Sequence, residues 1–358
     1  MARVLTVDPV DPDLQVLADA AAVLTSGGLV AFPTETVYGL GADALSDAAV
    51  AAIFVAKRRP PTDPLIVHLA GADQLHTVAR DVPSVVAALA DVFWPGPLTL
   101  ILHKQPAVPA AVTAGLSTVG VRVPSHPVAQ RLLRLAAIPV AAPSANRFSR
   151  PSPTTAAHVL DDLGDAIDMV VDAGHTPIGV ESTILDLTVS PPLVRRPGGV
   201  PLDEIRRLLP DAIAVASTLT AVEAQPAPGQ LTRHYAPRAR LTLYLGAPSV
   251  VCDRMAADAR TAAAAGNRVG ILAPEEDLRV LAPRLAAVAA TGRILTARCG
   301  SRRDPDAAAH ELFRAIRDLD AERVDVMLAS APEAGRLSDA VVDRLTRAAE
   351  GRVIVVRD

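Results

Sequence analysis

Cysteine, aromatic side chains and an excess of either charge are all scarce in this chain of 358 residues. Its two thiols, Cys252 and Cys299, are too few for a disulfide framework or a four-thiolate zinc site, and both read as buried or idle. Aromatics make up 3% against 50% hydrophobic residues, so the cores must be built from Ala, Val and Leu. The same scarcity leaves little for the base-stacking platforms that hold single-stranded nucleic acid. A formal net charge of −4, with Lys and Arg spread along the chain, argues against a basic tail wrapped on nucleic acid but leaves room for a local basic pocket. No apolar run reaches the roughly 20 residues of a spanning helix. The opening MARVLTVDPVDPD lacks a charged-then-apolar signal, so a cytoplasmic protein is expected. Walker A and H-E-x-x-H patterns are missing too, which removes P-loop ATPase and zinc-protease readings.

What is present alternates. LVAF, PLIVHL, LTLIL, VGVRVP and PVAAPSA read as strands, and LQVLADAAAVLTSG, DAAVAAIFVAK, SVVAALADVFW and HPVAQRLLRLA read as helices between them. Strands mixed with crossover helices imply an α/β sheet rather than a bundle or sandwich. The helix LDEIRRLLP closes this first unit, 1–210. Residues 211–240 carry little apolar periodicity and several breakers, and read as a linker. In 241–358, LTLYLG, RVGILA, GRILTARCG, VDVMLAS and VIVV alternate with helical stretches, suiting a small parallel sheet. That part holds no G-x-G-x-x-G.

Polar residues gather where the strands of the first unit run out. FPTETVYGLG offers Thr34, Glu35 and Thr36 instead of ordinary turn residues. KRRPP places Lys57, Arg58 and Arg59 at a helix C-terminus; they either complement the helix dipole or form a solvent-facing anion site. His68 follows on a strand, where a lone histidine is commonly a satisfied core residue. Arg122 stands between valines, awkward to bury without an anion or carboxylate. Thr118, the hydroxyl-rich loop APSANRFSRPSP with Ser144 and Ser152, Ser182 in VESTILDL, and Arg195 and Arg196 in VRRPGG repeat the pattern.

In this order, FPTETVYGLG, Lys-x-Arg with PLIVHL, FWPGPLTLIL, GVRVPSHP, APSAN and GVESTILDL resemble the YrdC/Sua5 family of threonylcarbamoyl-AMP synthases, from Val10 to Leu209. The trailing part, introduced by PG and then HYAP, resembles the extra C-terminal domain of the longer Sua5-type members. The resemblance implies a YrdC-like twisted sheet of mixed parallel and antiparallel strands with flanking helices, followed by a smaller Rossmann-like α/β domain. It implies a nucleotidyltransferase that condenses L-threonine, bicarbonate or CO2 and ATP, with Mg²⁺ held mainly by the ATP phosphates. The released pyrophosphate leaves threonylcarbamoyl-AMP, which passes to a TsaD-type tRNA threonylcarbamoyl transferase for t6A. tRNA is then only an indirect partner, and no membrane is involved.

Residue by residue, the resemblance carries Thr36, His68, Arg122, Ser182 and the backbone at Ala142 to threonine. It carries Lys57 and Arg59 to catalysis and, with Asp63, Thr118, Ser144, Ser152 and Arg196, to the nucleotide. The family commonly has Asn where Asp63 stands, and an acid near a triphosphate repels unless it faces Mg²⁺ or the ribose. The linker departs as well: APGQLTRHYAP keeps Pro228, Gly229 and the run His234 to Pro237 but loses the family's Ser, Met and first Tyr. Its expected role is a lid, with His234 and Tyr235 on the nucleotide. Arg58 is expected at the surface, and Glu35 and Glu181 as bases or mere braces of strand ends. Two rivals differ in class. An RNA-binding module would need stacking aromatics that are scarce here. A carbamoyl-transfer component of hydrogenase maturation would need paired Cys-x-x-Cys zinc sites, and there are none.

Overall fold

The computed structural model describes residues 1–214, 227–229 and 234–357. These divide into two compact units, Met1–Phe148 with Ser152–Leu231, and Ser149–Pro151 with Thr232–Asp358. Most of the expected linker, 215–226 and 230–233, lies outside the described residues.

The first unit is built on one twelve-stranded mixed sheet. Its order runs Arg3–Thr6, Met169–Asp172, Val30–Pro33, Tyr38–Asp43, Val140–Ala141, Ile66–His68, Thr118–Arg122, Leu98–Lys104, Thr183–Asp186, Leu193–Arg196, Ile213–Ala214, with Ala79–Arg80 beside Leu98–Lys104. Strand alternation sorts the apolar residues into two cores. Leu29 and Ala31 join one cluster while Val30 and Phe32 join the other, and Val170 parts in the same way from Met169 and Val171. Buried on both sides, these strands read as continuous aliphatic runs, as a covered sheet requires.

FPTETVYGLG is a hairpin. Val30–Pro33 pairs antiparallel with Tyr38–Asp43, from Val30 opposite Gly41 to Pro33 opposite Tyr38, and Thr34, Glu35, Thr36 and Val37 between them form the turn. The helix Asp47–Lys57 begins where the Ser46 side chain accepts from the Ala49 amide, and it ends at Arg58 in the left-handed region, φ 52°. The helix Pro127–Ala136 is capped by His126, whose ring accepts from the Val128 amide, with proline at its first position. Past Pro210 the sheet continues, since Ile213–Ala214 lies parallel to Leu193–Arg196. The helix Ala156–Leu163 had no counterpart in the sequence reading.

The second unit has five parallel strands in the order Ile294–Arg298, Val269–Ala273, Val326–Ser330, Arg240–Gly246, Val353–Val356. Helix Pro248–Ala264 packs on Glu275–Ala289, and Pro305–Ala321 on Ser338–Ala348. Glu275–Ala289 was missed from sequence because its acidic first turn and internal Pro283 obscure an amphipathic period. Both cysteines are buried in this unit, and burial pushes the Cys299 thiol up to about 12, so neither is a poised nucleophile.

Candidate active site

The hairpin turn presents a threonine pair. Thr34 and Thr36 hydroxyls lie 2.8 Å apart, and Thr34 also donates to the Val37 carbonyl at 2.7 Å. Ile178 and Gly179 amides donate to the Glu35 and Thr36 carbonyls at 2.8 and 3.0 Å, which anchors the turn from outside. Arg122, ending its strand, reaches this turn. Its Nη1 donates to Thr36 Oγ1 at 3.0 Å, its Nε to the Gly96 carbonyl at 3.3 Å, and its Nη2 pairs with Glu35 Oε1 at 2.7 Å. The arginine that the valine run made awkward has therefore found a carboxylate of its own chain.

Next along the sheet, Thr99 is the register partner of Arg122. Its hydroxyl meets that of Ser182 at 2.8 Å. Arg196 then donates to Ser182 twice from Nη2, to the carbonyl at 3.0 Å and to the hydroxyl at 3.2 Å. Its Nη1 donates to the Pro228 carbonyl at 3.4 Å. Thr118, half-buried at the head of its strand, lines a small hollow with Ile66, Thr99, Ile184 and Pro228. Ser152 donates to Glu181 at 2.5 Å, one residue before Ser182.

The remaining cations converge on Asp63. Arg59 pairs with the Asp63 carboxylate at 3.0 Å and donates to the Asp63 and Pro64 carbonyls at 3.0 and 2.6 Å. Lys57 donates to the Ser144 and Asn146 carbonyls, the latter at 2.6 Å. One of the two readings of the cluster put them on a solvent-facing patch, and both are buried instead, at 1% and 7% exposure; only Arg58 of the three is exposed. The reason is the left-handed cap at Arg58, which turns the chain so that its two neighbours point inward. Burial pushes the Lys57 ammonium well below its ordinary range, with the Arg59 charge adding to it and Asp162 and Asp63 opposing. Burial likewise raises the Asp63 carboxyl, against the pull of Arg59, Lys57, Arg196 and the Gly229 amide.

His68 lies opposite Arg122 in the register, its Nδ1 3.3 Å from the Ile66 carbonyl and its ring edge-on to Phe32. Burial drives it down to about 3, and the Arg122 charge works in the same direction, so the ring is neutral. The Ala142 amide donates to the Ile66 carbonyl at 2.9 Å, and Ser144 bridges to Gly39, which places both just beyond the strand Val140–Ala141. Arg195 turns away to pair with Asp186 at 2.8 Å. His234 and Tyr235 belong to the second unit, where Tyr235 packs on Phe313 and Arg344 stacks over its ring.

Thr99 and His126 escaped the sequence reading. The isolated threonine in LTLIL was the available signal for the first. His126 is buried beside Glu35, and burial lowers its basicity while Glu35 works against that shift. Among the described residues no group of three His, Cys, Asp or Glu is arranged to hold a metal.

Residues 22–198 match the Sua5_yciO_yrdC family model, described as Telomere recombination, and residues 200–350 match the Sua5_C model, described as Threonylcarbamoyl-AMP synthase, C-terminal domain. The chain is 41% identical to the threonylcarbamoyl-AMP synthase of Pyrococcus abyssi, over 94% of this chain and 95% of that protein. It is 42% identical to the Bacillus subtilis protein of that name, over 94% of each. The crystal structure of Pyrococcus abyssi Sua5 complexed with L-threonine superposes with a TM-score of 0.90 at 38% identity, over 99% of both chains.

Proposed function

The chain belongs to the Sua5/YciO/YrdC family, Sua5 type, and from that premise and the geometry of its first unit we propose that it makes threonylcarbamoyl-AMP from L-threonine, bicarbonate or CO2, and ATP. One observation carries the reading: polar side chains line neighbouring strand ends, Thr36 bonded to Arg122, Thr99 opposite Arg122 in the register and bonded to Ser182, and Ser182 bonded to Arg196, with Lys57 and Arg59 gathered around Asp63. One end of this row offers what an amino acid needs, hydroxyls and a planar guanidinium suited to a carboxylate. The other end offers fixed cations for a triphosphate. Two anionic reactants meet in such a cleft only because the charges that neutralise them are already in place.

In this reading Thr36, His68, Arg122, Ser182 and the backbone at Ala142 hold threonine, while Thr118, Ser144, Ser152, Arg196 and Asp63 hold the nucleotide. Lys57 and Arg59 neutralise charge developing on the phosphates. Threonine's neutral amine takes up CO2 to give a carbamate. A carbamate oxygen attacks the α-phosphorus, the bond to the bridging oxygen breaks, and pyrophosphate leaves with its electron pair. The enzyme is thus a nucleotidyltransferase that needs no covalent intermediate, and Mg²⁺ arrives as part of the substrate MgATP. The product, a mixed anhydride, is handed to a TsaD-type transferase that modifies tRNA in the cytoplasm.

The test is to incubate the protein with ATP, bicarbonate, Mg²⁺ and each amino acid in turn and to look by mass for a carbamoyl adenylate. Threonine is expected to yield it, serine less. Valine, which lacks the hydroxyl, is expected to be rejected by roughly 10⁴-fold, as sites that bond a substrate hydroxyl do. Comparable turnover of valine would sink the pocket as described.

A further inference from the structure

Glu35 does more in this geometry than brace the hairpin turn. Its carboxylate and the Arg122 guanidinium form a buried pair at 2.7 Å, with side-chain exposures of 7% and 5%. Arg122 is braced on its other nitrogens by Thr36 and Gly96, so its fork is held in one orientation whether or not Glu35 is the partner. Both Glu35 carboxylate oxygens are buried and, among the described residues, accept no hydrogen bond, the 2.7 Å contact of Oε1 with Arg122 being one of charge. A buried carboxylate oxygen without a donor costs free energy that a donor from a ligand recovers. Among the described residues no cation besides Arg122 forms an ion pair with that carboxylate. His126, the titratable side chain next to it, is held below its ordinary range by burial, against the pull of Glu35, and its Nδ1 accepts from the Val128 amide. His68, flanking Arg122 from the next strand, is neutral.

We propose that the Arg122–Glu35 pair reads both charges of an α-amino acid: Arg122 takes the carboxylate, and Glu35 takes the ammonium and accepts the proton that leaves it before the neutral amine takes up CO2. This rests on the threonine reading of the same site and adds a residue to it. The physical reason is charge conservation in a dry cleft. Breaking a buried ion pair by removing one partner is strongly unfavourable because it strands the other. A zwitterion replaces one pair with two and strands nothing. A ligand with a carboxylate alone takes Arg122 and strands Glu35, and a ligand with an ammonium alone strands Arg122. Discrimination for amino acids over their singly charged analogues is therefore built into the pair.

The experiment is titration calorimetry of the full-length protein with L-threonine, 3-hydroxybutyrate, which lacks the amino group, and threoninol, which lacks the carboxylate. The wild-type protein is expected to prefer threonine over either analogue by about tenfold or more, as a lost charged hydrogen bond implies. In Glu35→Gln, threonine is expected to weaken by about tenfold while 3-hydroxybutyrate tightens, since Arg122 no longer has a competing carboxylate. A brace with no ligand contact would weaken both together, and an unchanged ratio overturns the proposal. Should Glu35→Gln fail to fold, Glu35→Asp serves. The shorter carboxylate is expected to cost threonine more than 3-hydroxybutyrate, and equal losses count against the proposal. Wild-type protein that binds threonine but does not distinguish it from 3-hydroxybutyrate defeats this inference alone, whereas failure to bind threonine at all defeats the functional reading beneath it.

Discussion

At the scale of single residues, the site is defined by charged groups that the fold has taken out of water. Lys57 and Arg59 illustrate the cost and the use. An ammonium held below its ordinary range by burial is poorly solvated, and a phosphate that comes close regains for it the stabilisation that water would have supplied. Replacing both by Ala is expected to lower threonine-dependent pyrophosphate release by at least about 10²-fold, measured with coupled pyrophosphate detection, since each removes a preorganised charge. His68 gives a test through stability. Its ordinary value is 6.5 and its folded value about 3, so between these limits the unfolded chain takes up a proton that the native state refuses. Stability from this residue is complete above pH 6.5 and declines as pH falls toward 3. The slope is about 1.4 kcal/mol per pH unit for one proton. Denaturant unfolding of His68→Gln between pH 6 and 4 is expected to show a pH dependence shallower by that amount.

Among elements, the strand ends position the chemistry, and one tight approach holds them. A Cβ placed on Gly198 would lie 2.4 Å from the Glu181 carbonyl, the Ser182 carbonyl carbon and the Thr183 amide. Only glycine lets the turn after Leu193–Arg196 lie flat on the strand start that carries Ser182. Thr183 locks the same contact, donating to the Val200 carbonyl at 2.5 Å and accepting from the Val200 amide at 3.0 Å. Gly198→Ala is expected to destabilise by about 1–3 kcal/mol through overpacking. It should weaken threonine binding as well, because Ser182 shifts away from Arg196; thermal unfolding and calorimetry on one preparation check both. The elements themselves were legible where aliphatic period and caps agree, as in Asp47–Lys57. The returning strand Tyr38–Asp43 and the helix Glu275–Ala289 were not, since the first follows a polar turn and carries two glycines and the second mixes acids and proline into its period.

At the scale of the molecule, the two units solve the same problem differently. The first buries charges where a substrate can use them, and the second buries a pair for its own integrity. Asp277 is 2% exposed, engages Arg302 with both oxygens, one at 3.0 Å, and accepts from Ser330 at 2.6 Å. Asp277→Ala strands the Arg302 guanidinium and is expected to cost about 3–5 kcal/mol in chemical denaturation of the full chain. Adding Arg302→Met is expected to recover part of that loss, because no buried charge then remains unpaired.

The amino-acid sequence by itself determined the family, the alternation of strands and helices, and the types of group at the strand ends, because these are local: a period, a cap, a run of residues in a fixed order. It also named Arg122 as a cation needing an anion. Which anion was a tertiary matter. Only folding brought Glu35 to within 2.7 Å of Arg122, turned Lys57 and Arg59 inward around Asp63, and set Thr99 beside Ser182 across neighbouring strands. Those pairings join residues far apart along the chain, and their strength comes from exclusion of water, which no short stretch of sequence can display.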